Sequence, residues 1–527
     1  MDLLIKNGNV YPLDGRDVVE EAIGITGDKI SQIGPSKKLT ELASDETTVI
    51  NAQGQTAIPG FIDSHTHFLD FGVKKLRYID LGEVSTKQEL LERVKEYRQD
   101  KPERDWILGN KWDESTWEGE KTFPTKQELD ESVSDRPVAL QRVDCHTYCV
   151  NSKALQLLEL TPSTRGAERS SGEFTGRLSE DAAQVVSKEI APSQRELVQG
   201  LKEAQKEAHS LGVTGVHQMA IDEGGFRDYF KVYQSLFQKG DLNLRCRIYF
   251  TRNYLDDFLN LGIETGLGDD RLKIGGLKVF TDGSIGSKTA WISSGYSEEP
   301  DNKGVSLIET DDLRELIARA HRNNVQVAIH AIGDRALQQT IDSLEEVIKS
   351  RNSDDYVPPH RIEHCEMATD DQIEKMAELG LIASVQPNFT GKWGLPEGMY
   401  EKRFNRERLP ELNKLAHFRD QGVRLSFGSD GMPFDPLYGL HWAVNSPFES
   451  QKLSPREALK SYTGGAAFAG GLEEKVGSLE VGKYADIALL DGDPVQNSEL
   501  IRNLTVETTI VDGNIVFRRD EKDKSGA

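Results

Sequence analysis

The stretch Pro59-Gly60-Phe61-Ile62-Asp63-Ser64-His65-Thr66-His67 stands where two kinds of sequence pattern meet. Before it, over residues 3–57, short apolar alternations are broken by turn signals: Leu3-Leu4-Ile5, Asn7-Gly8-Asn9, Ala22-Ile23-Gly24-Ile25, Gly27-Asp28 and Thr48-Val49-Ile50. Alternation with Asn-Gly and Gly-Asp breaks reads as hairpin strands. After it, strand-like apolar runs alternate with amphipathic helical stretches such as 311–323 and 370–379, the pattern of βα units around a parallel sheet. The runs are 61–62, 138–143, 213–217, 245–250, 274–280, 325–329, 361–362, 381–385 and 423–427.

Eight strands would close a barrel, so one run is surplus. About 150 residues separate the first run from that at 213, where a βα unit needs about 30. The segment near 82–210 is therefore read as an insertion, a subdomain or lid over the barrel mouth, holding Trp106, Trp112, Trp117 and the surplus run at 138–143. The far end returns to the style of the start, with Ala485 to Leu490, Val506 to Ile510, and Asp512-Gly513-Asn514 leading into Ile515-Val516-Phe517. Neither end is long enough to bury two sheet faces alone, so the two are expected to pair as one small β-sandwich. The expected fold is α/β: a TIM-like (β/α)8 barrel over 58–470 with an insertion at about 82–210 after strand 1, and a sandwich built from 1–57 and 471–527.

Composition narrows the class of function. With 527 residues, 37% hydrophobic and 29% charged, the chain has the balance of a globular protein and not of a fibrous or disordered one. Its 64 basic against 87 acidic residues give a net charge of −23, which repels phosphate backbones and anionic membrane faces. Nucleic acid and membrane are thus not expected partners. The start carries no apolar run of signal-peptide length and no stretch reaches ~18 apolar residues, so a cytoplasmic location is expected. Four scattered cysteines, Cys145, Cys149, Cys246 and Cys365, suit a reducing compartment, and the first two read as structural. The charged tail 520–527 reads as frayed.

In a parallel barrel the chemistry gathers at the C-terminal ends of the strands. The first run ends in Asp63-Ser64-His65-Thr66-His67, the fourth carries Lys278, the fifth and sixth end in His330 and His364, and the eighth in Ser429-Asp430. A single histidine after a strand is ordinarily a hydrogen-bonded structural residue, but here four of the eleven fall at such ends. Residues two apart in an extended segment point the same way, so His65 and His67 can offer ring nitrogens to one cation. Imidazoles with one carboxylate suit zinc or another first-row divalent ion, and not calcium or magnesium, which want oxygen donors.

These residues resemble the amidohydrolase superfamily of metal-dependent hydrolases, in its family 3 or YtcJ-like branch, which includes N-substituted formamide deformylases. The likeness is carried by 59–67, Lys278 to Ser284, His330 to Asp334, His360 to His364, Gly428-Ser429-Asp430 and Gly477 to Asp486. It implies that His65 and His67 hold the more buried metal with Asp430, while His330 and His364 hold a second ion or complete a mononuclear site. Lys278 would bridge two metals if carboxylated; unmodified, it would favour one metal or serve as a charge partner for substrate. The implied reaction is hydrolysis of a non-peptide C–N bond in an amide, N-substituted formamide or cyclic amide. Metal-activated water would attack the carbonyl, and Asp430 would act as general acid/base. Trp112, Asp113, His146 and Asp282 are expected to wall the substrate, with a core role for Trp112 and a structural one for His146 left open. Deamination of a heterocyclic or amidine-like substrate, and a non-catalytic regulator on the same fold, are the competing readings. A small-molecule substrate is the expected partner, with a homodimer left open.

Overall fold

The computed structural model of the chain describes residues 1–101, 103–144, 146–221, 228–350 and 358–519; Cys145 and the 520–527 tail lie outside the described residues. The chain divides into two compact units, Met1–Leu69 with Gln205–Ala527, and Asp70–Ala204.

In the first unit eight strands form one parallel sheet in sequence order: β1 Phe61–Thr66, β2 Val213–Ile221, β3 Arg245–Thr251, β4 Leu272–Phe280, β5 Val327–Ala331, β6 Arg361–His364, β7 Ile382–Val385 and β8 Arg424–Phe427. All seven pairings are parallel. The fold is a TIM-like (β/α)8 barrel, and its strands coincide with the eight apolar runs that remain once 138–143 is set aside. The edges meet where the Asp430 N–H donates to the His65 carbonyl at 2.7 Å. Gly428 is required at this seam: a Cβ there would lie 2.4 Å from the His65 backbone nitrogen. Helices follow the later strands for ordinary reasons. Thr310–Arg322 buries Leu313, Ile317 and Ala320, spaced four and three apart on one stripe. Asp370–Glu378 starts at a reciprocal cap between Thr369 and Gln372.

The terminal segments form two further sheets. One contains Leu3–Lys6, Ala22–Thr26, Lys29–Gly34 and Thr48–Asn51; the other joins Asn9–Val10 and Thr56–Pro59 to Ile487–Leu490, Val506–Val511 and Asn514–Arg518. Leu3, Ile23, Ile25 and Ile50 of the first share an apolar core with Ala57, Ile487, Leu489 and Ile510 of the second. The Asp512-Gly513 turn closes a hairpin, with both residues at positive φ (48° and 73°) as a two-residue turn requires. Asn7-Gly8 does not. Leu3–Lys6 pairs instead with Ala22–Thr26 and, in parallel, with Thr48–Asn51, and Asn7-Gly8 carries the chain from one sheet to the other.

The second unit is built on a six-stranded sheet in which the surplus run, Val138–Arg142, lies between Ile107–Trp112 and Thr147–Val150. Strand alternation sends Ile107, Val138, Leu140 and Cys149 to one apolar core and Leu108, Ala139, Tyr148 and Val150 to another. Both faces are therefore covered. The unit spans Asp70–Ala204, and within it Gly72 lies so close to Gly200 that a Cβ would sit 2.0 Å from its carbonyl oxygen. Among the described residues no helix is long and apolar enough to cross a membrane.

Candidate metal centre

At the C-terminal ends of β1 and β8, ligand atoms of His65, His67 and Asp430 all lie within 4.8 Å of one another. Asp430 Oδ1 is 3.8 Å from His65 Nε2 and 3.5 Å from His67 Nε2. Asp63 fixes this pairing of strand ends: its buried Oδ1 accepts the backbone N–H of His65 at 3.1 Å and of Ser429 at 3.0 Å. Burial raises the Asp63 carboxyl to about 7. His364 (φ 73°) and Asp430 (φ 52°) both hold left-handed backbone, a cost of roughly 1–3 kcal/mol each that clusters at functional sites.

The other imidazoles extend the cluster. The ring centroid of His364 lies 4.7 Å from that of His65 and 4.4 Å from that of His330. Lys278 is buried, with Nζ 3.5 Å from His65 Nε2 and 5.1 Å above the Phe280 ring. Burial first, and then neighbouring charge, from Lys278 for His65 and His330 and from His330 for His364, drives the three below the ordinary imidazole value, His330 to about 3. All three rings are therefore neutral at pH 7, the form that can donate a lone pair. Two have their proton assigned by their partners. His330 Nε2 donates to the Gly283 carbonyl at 3.0 Å, leaving Nδ1 for a ligand; His364 Nδ1 donates to Gln386 Oε1 at 2.7 Å, leaving Nε2. A set of two imidazoles and one carboxylate, with two more neutral imidazoles beside it, fits a first-row divalent ion.

A family model described as "Amidohydrolase family" matches residues 48–517. The chain belongs to the amidohydrolase family. It is 29% identical to "Putative amidohydrolase YtcJ" of Bacillus subtilis, over 98% of this chain and all of that one. It is 28% identical to the "N-substituted formamide deformylase" of Arthrobacter pascens, over 98% of each. A solved structure of an uncharacterized metal-dependent hydrolase from Pyrococcus furiosus superposes with a TM-score of 0.78 at 30% identity, covering 94% of this chain and 99% of that one.

In this amidohydrolase four further residues were expected to face substrate, and the structure gives three of them clear local tasks. Asp282, just past β4, is buried; its carboxylate accepts backbone N–H groups of Trp291 (2.8 Å), Ile332 (3.0 Å) and Gly333 (2.8 Å). It stitches the loops after β4 and β5 together. Trp112 lies in the second unit's core, its ring 5.9 Å from Trp117 and 5.3 Å from Phe123. Asp113 caps the turn Glu114–Thr116 and pairs with Arg142 at 3.2 Å. His146 is exposed, its backbone N–H on Asp144.

Sequence reasoning missed the residues behind the cluster. Glu363, buried on β6, places Oε2 2.5 Å from His65 Nδ1. Arg361 grips the same carboxylate, Nε to Oε1 at 2.5 Å and Nη2 to Oε2 at 3.1 Å. It also donates to the Ser64 carbonyl and Ser384 Oγ, both at 2.6 Å, and to His217 Nδ1 at 2.8 Å. The available signal was that Arg361 and Glu363, two apart on a strand, share a face with each other and not with His364.

Proposed function

We propose that the chain is a metal-dependent hydrolase of a non-peptide C–N bond, an amide, N-substituted formamide or cyclic amide. The convergence of His65, His67 and Asp430 within 4.8 Å carries this reading. His65, His67 and Asp430 would hold one divalent ion, zinc being the best match to the donor set. His330 and His364 would complete that site or hold a second ion, with Lys278 between them as a bridging carbamate or, unmodified, as a cation. A divalent ion held there would lower the pKa of water toward ~7 and polarise a carbonyl.

The chain's own residues supply the rest. Asp430 Oδ1 accepts a proton from the attacking water and returns it to the departing nitrogen, which spares the release of an amide anion. His67 is a third exposed, against almost none for His65, and marks the side open to substrate. The full-length likeness to a protein named for N-substituted formamide deformylation supports a small N-acyl or N-formyl substrate.

Metal analysis of the wild type and of His65→Ala, joined to a screen of N-acyl and N-formyl compounds, tests the reading. Zinc-restored turnover in the wild type and none in the variant is expected; a wild type that binds no divalent ion overturns it. Within that enzyme Asp430→Asn should retain metal and lose ~10²–10⁴ in turnover, the usual size of a general acid/base contribution. Near-normal turnover would remove Asp430 as proton carrier.

A further inference from the structure

Beside the histidine cluster runs a chain of buried polar groups: His217, Arg361, Glu363 and His65, contributed by β2, β6 and β1. None exceeds about 1% exposure. An ion pair with no route to water is costly unless its hydrogen bonds are filled, and here they are. Arg361 uses Nε on Glu363, Nη1 on His217 Nδ1 and the Tyr249 hydroxyl, and Nη2 on Ser64, Ser384 and Glu363. A packed apolar core would serve stability as well, so the arrangement calls for another purpose.

The geometry points to Glu363 as a positioning residue that fixes His65 in the tautomer able to bind the metal, with Arg361 holding Glu363 in place. The inference rests on the metal reading of His65 given above. Glu363 beside a guanidinium fork is a carboxylate, and a carboxylate only accepts. The 2.5 Å contact therefore requires the proton of neutral His65 on Nδ1. Its lone pair is then on Nε2, the atom that faces Asp430 Oδ1 at 3.8 Å and Lys278 Nζ at 3.5 Å. Removing the acceptor would leave the ring free to carry its proton on Nε2, where it blocks coordination. Arg361 ties the carboxylate to the Ser64 carbonyl, one residue before His65, so the ring and its orienting group are anchored to the same turn of chain. His217 accepts from Arg361 on Nδ1 and so closes the far end of the chain of hydrogen bonds.

Glu363→Gln is nearly isosteric and supplies the test: with its oxygen held by Arg361, its amide turns N–H donors toward His65 Nδ1 and favours the proton on Nε2. Zinc affinity would be measured by chelator competition on the wild type, Glu363→Gln and His65→Ala, with thermal melting of each metal-free protein. The wild type should bind, His65→Ala should lose the ion, and Glu363→Gln should bind 10–100-fold more weakly, the usual cost of removing an orienting partner from a metal-bound histidine. Unchanged affinity in Glu363→Gln overturns the inference while leaving the metal reading standing. A wild type without affinity overturns both. If Glu363→Gln does not fold, the wild type still decides: histidine-labelled protein should show a strongly downfield Nδ1–H resonance that is missing from His65→Ala. Its absence from the wild type rejects the assignment.

Discussion

Two strands of the barrel begin with a buried arginine that clasps carboxylates, and the two do different jobs. Arg361 opens β6 and Arg245 opens β3, with side chains 0% and 2% exposed. Arg245 forks onto Asp486, Nε to Oδ2 at 2.7 Å and Nη2 to Oδ1 at 3.1 Å, and also pairs with Asp512. The spare valence of Asp486 goes to backbone, the Asp512 N–H at 2.9 Å. The spare valence of Glu363 goes to a ring nitrogen. Asp486 directly precedes the terminal strand Ile487–Leu490 and Asp512 sits in the terminal hairpin turn, so the Arg245 fork pins the five-stranded terminal sheet to the barrel. What a buried ion pair does is decided by the group its carboxylate has left over.

The contrast can be broken at Asp486. Truncating one partner of a buried pair leaves a stranded charge and typically costs 3–5 kcal/mol. Asp512 still faces Arg245, so Asp486→Ala should cost about 3 kcal/mol, seen as a lower urea midpoint. Zinc affinity should stay within about twofold of the wild type, since Asp486 has no contact with the imidazole cluster. A tenfold loss of affinity with unchanged stability would erase the distinction between the two forks.

His360 sharpens it from another side, as a buried imidazole without a carboxylate. It immediately precedes Arg361, accepts the Val327 N–H on Nδ1 at 3.1 Å, and meets His321 Nδ1 through Nε2 at 2.9 Å. Burial, reinforced by His321, pulls its pKa down to about 3. The unfolded chain takes up a proton near pH 6.5 and the folded chain does not until about 3, so the folded state binds fewer protons in that window. Stability is full above pH 6.5 and falls as pH drops toward 3. Between pH 6.5 and 5 the group should cost about 1.6 kcal/mol, under the full 1.36 kcal/mol per unit because the unfolded imidazole is only half protonated at pH 6.5. Urea midpoints at the two pH values should therefore converge by that amount in His360→Gln relative to the wild type. An unchanged difference would show that the pair is already solvated.

The barrel was legible because parallel strands covered on both faces appear as near-continuous apolar runs. The surplus run at 138–143 is equally apolar for the same reason, being buried in another sheet, and only spacing told it apart. His65 and His67 were legible because a two-residue period carries their common direction. Arg361, Glu363 and His217 were not, because their meaning lies in pairings across 298 and 144 residues that no local pattern encodes. The loop-stitching task of Asp282 was not legible from its place beside β4. An aspartate between Thr281 and Gly283, in a loop rich in backbone donors, is also the residue that gathers N–H groups, and three such donors converge on it. Asn7-Gly8 was misread because a turn signal says that the chain reverses and not which sheet receives it.

The smallest effect belongs to a third arginine fork, in the second unit. Arg142 grips Glu114 at 2.9 and 3.0 Å and Asp113 at 3.2 Å, a geometry as regular as the other two. A third carboxylate, Asp144, lies 3.1 Å from Nη1; the Arg142 side chain is 19% exposed and those of its partners 14%, 27% and 34%, so water competes for every contact. Coulomb attraction near water is worth little after the entropy of holding long side chains, and exposed pairs return about 0.2–1 kcal/mol. Arg142→Met, which keeps most of the aliphatic stem, should therefore cost under about 1 kcal/mol, and raising salt to 1 M should shrink the difference further. A loss of 3 kcal/mol, matching Asp486→Ala, would mean that fork geometry and not burial sets the cost. Burial would then cease to explain why Arg245 pins a structure while Arg142 decorates one.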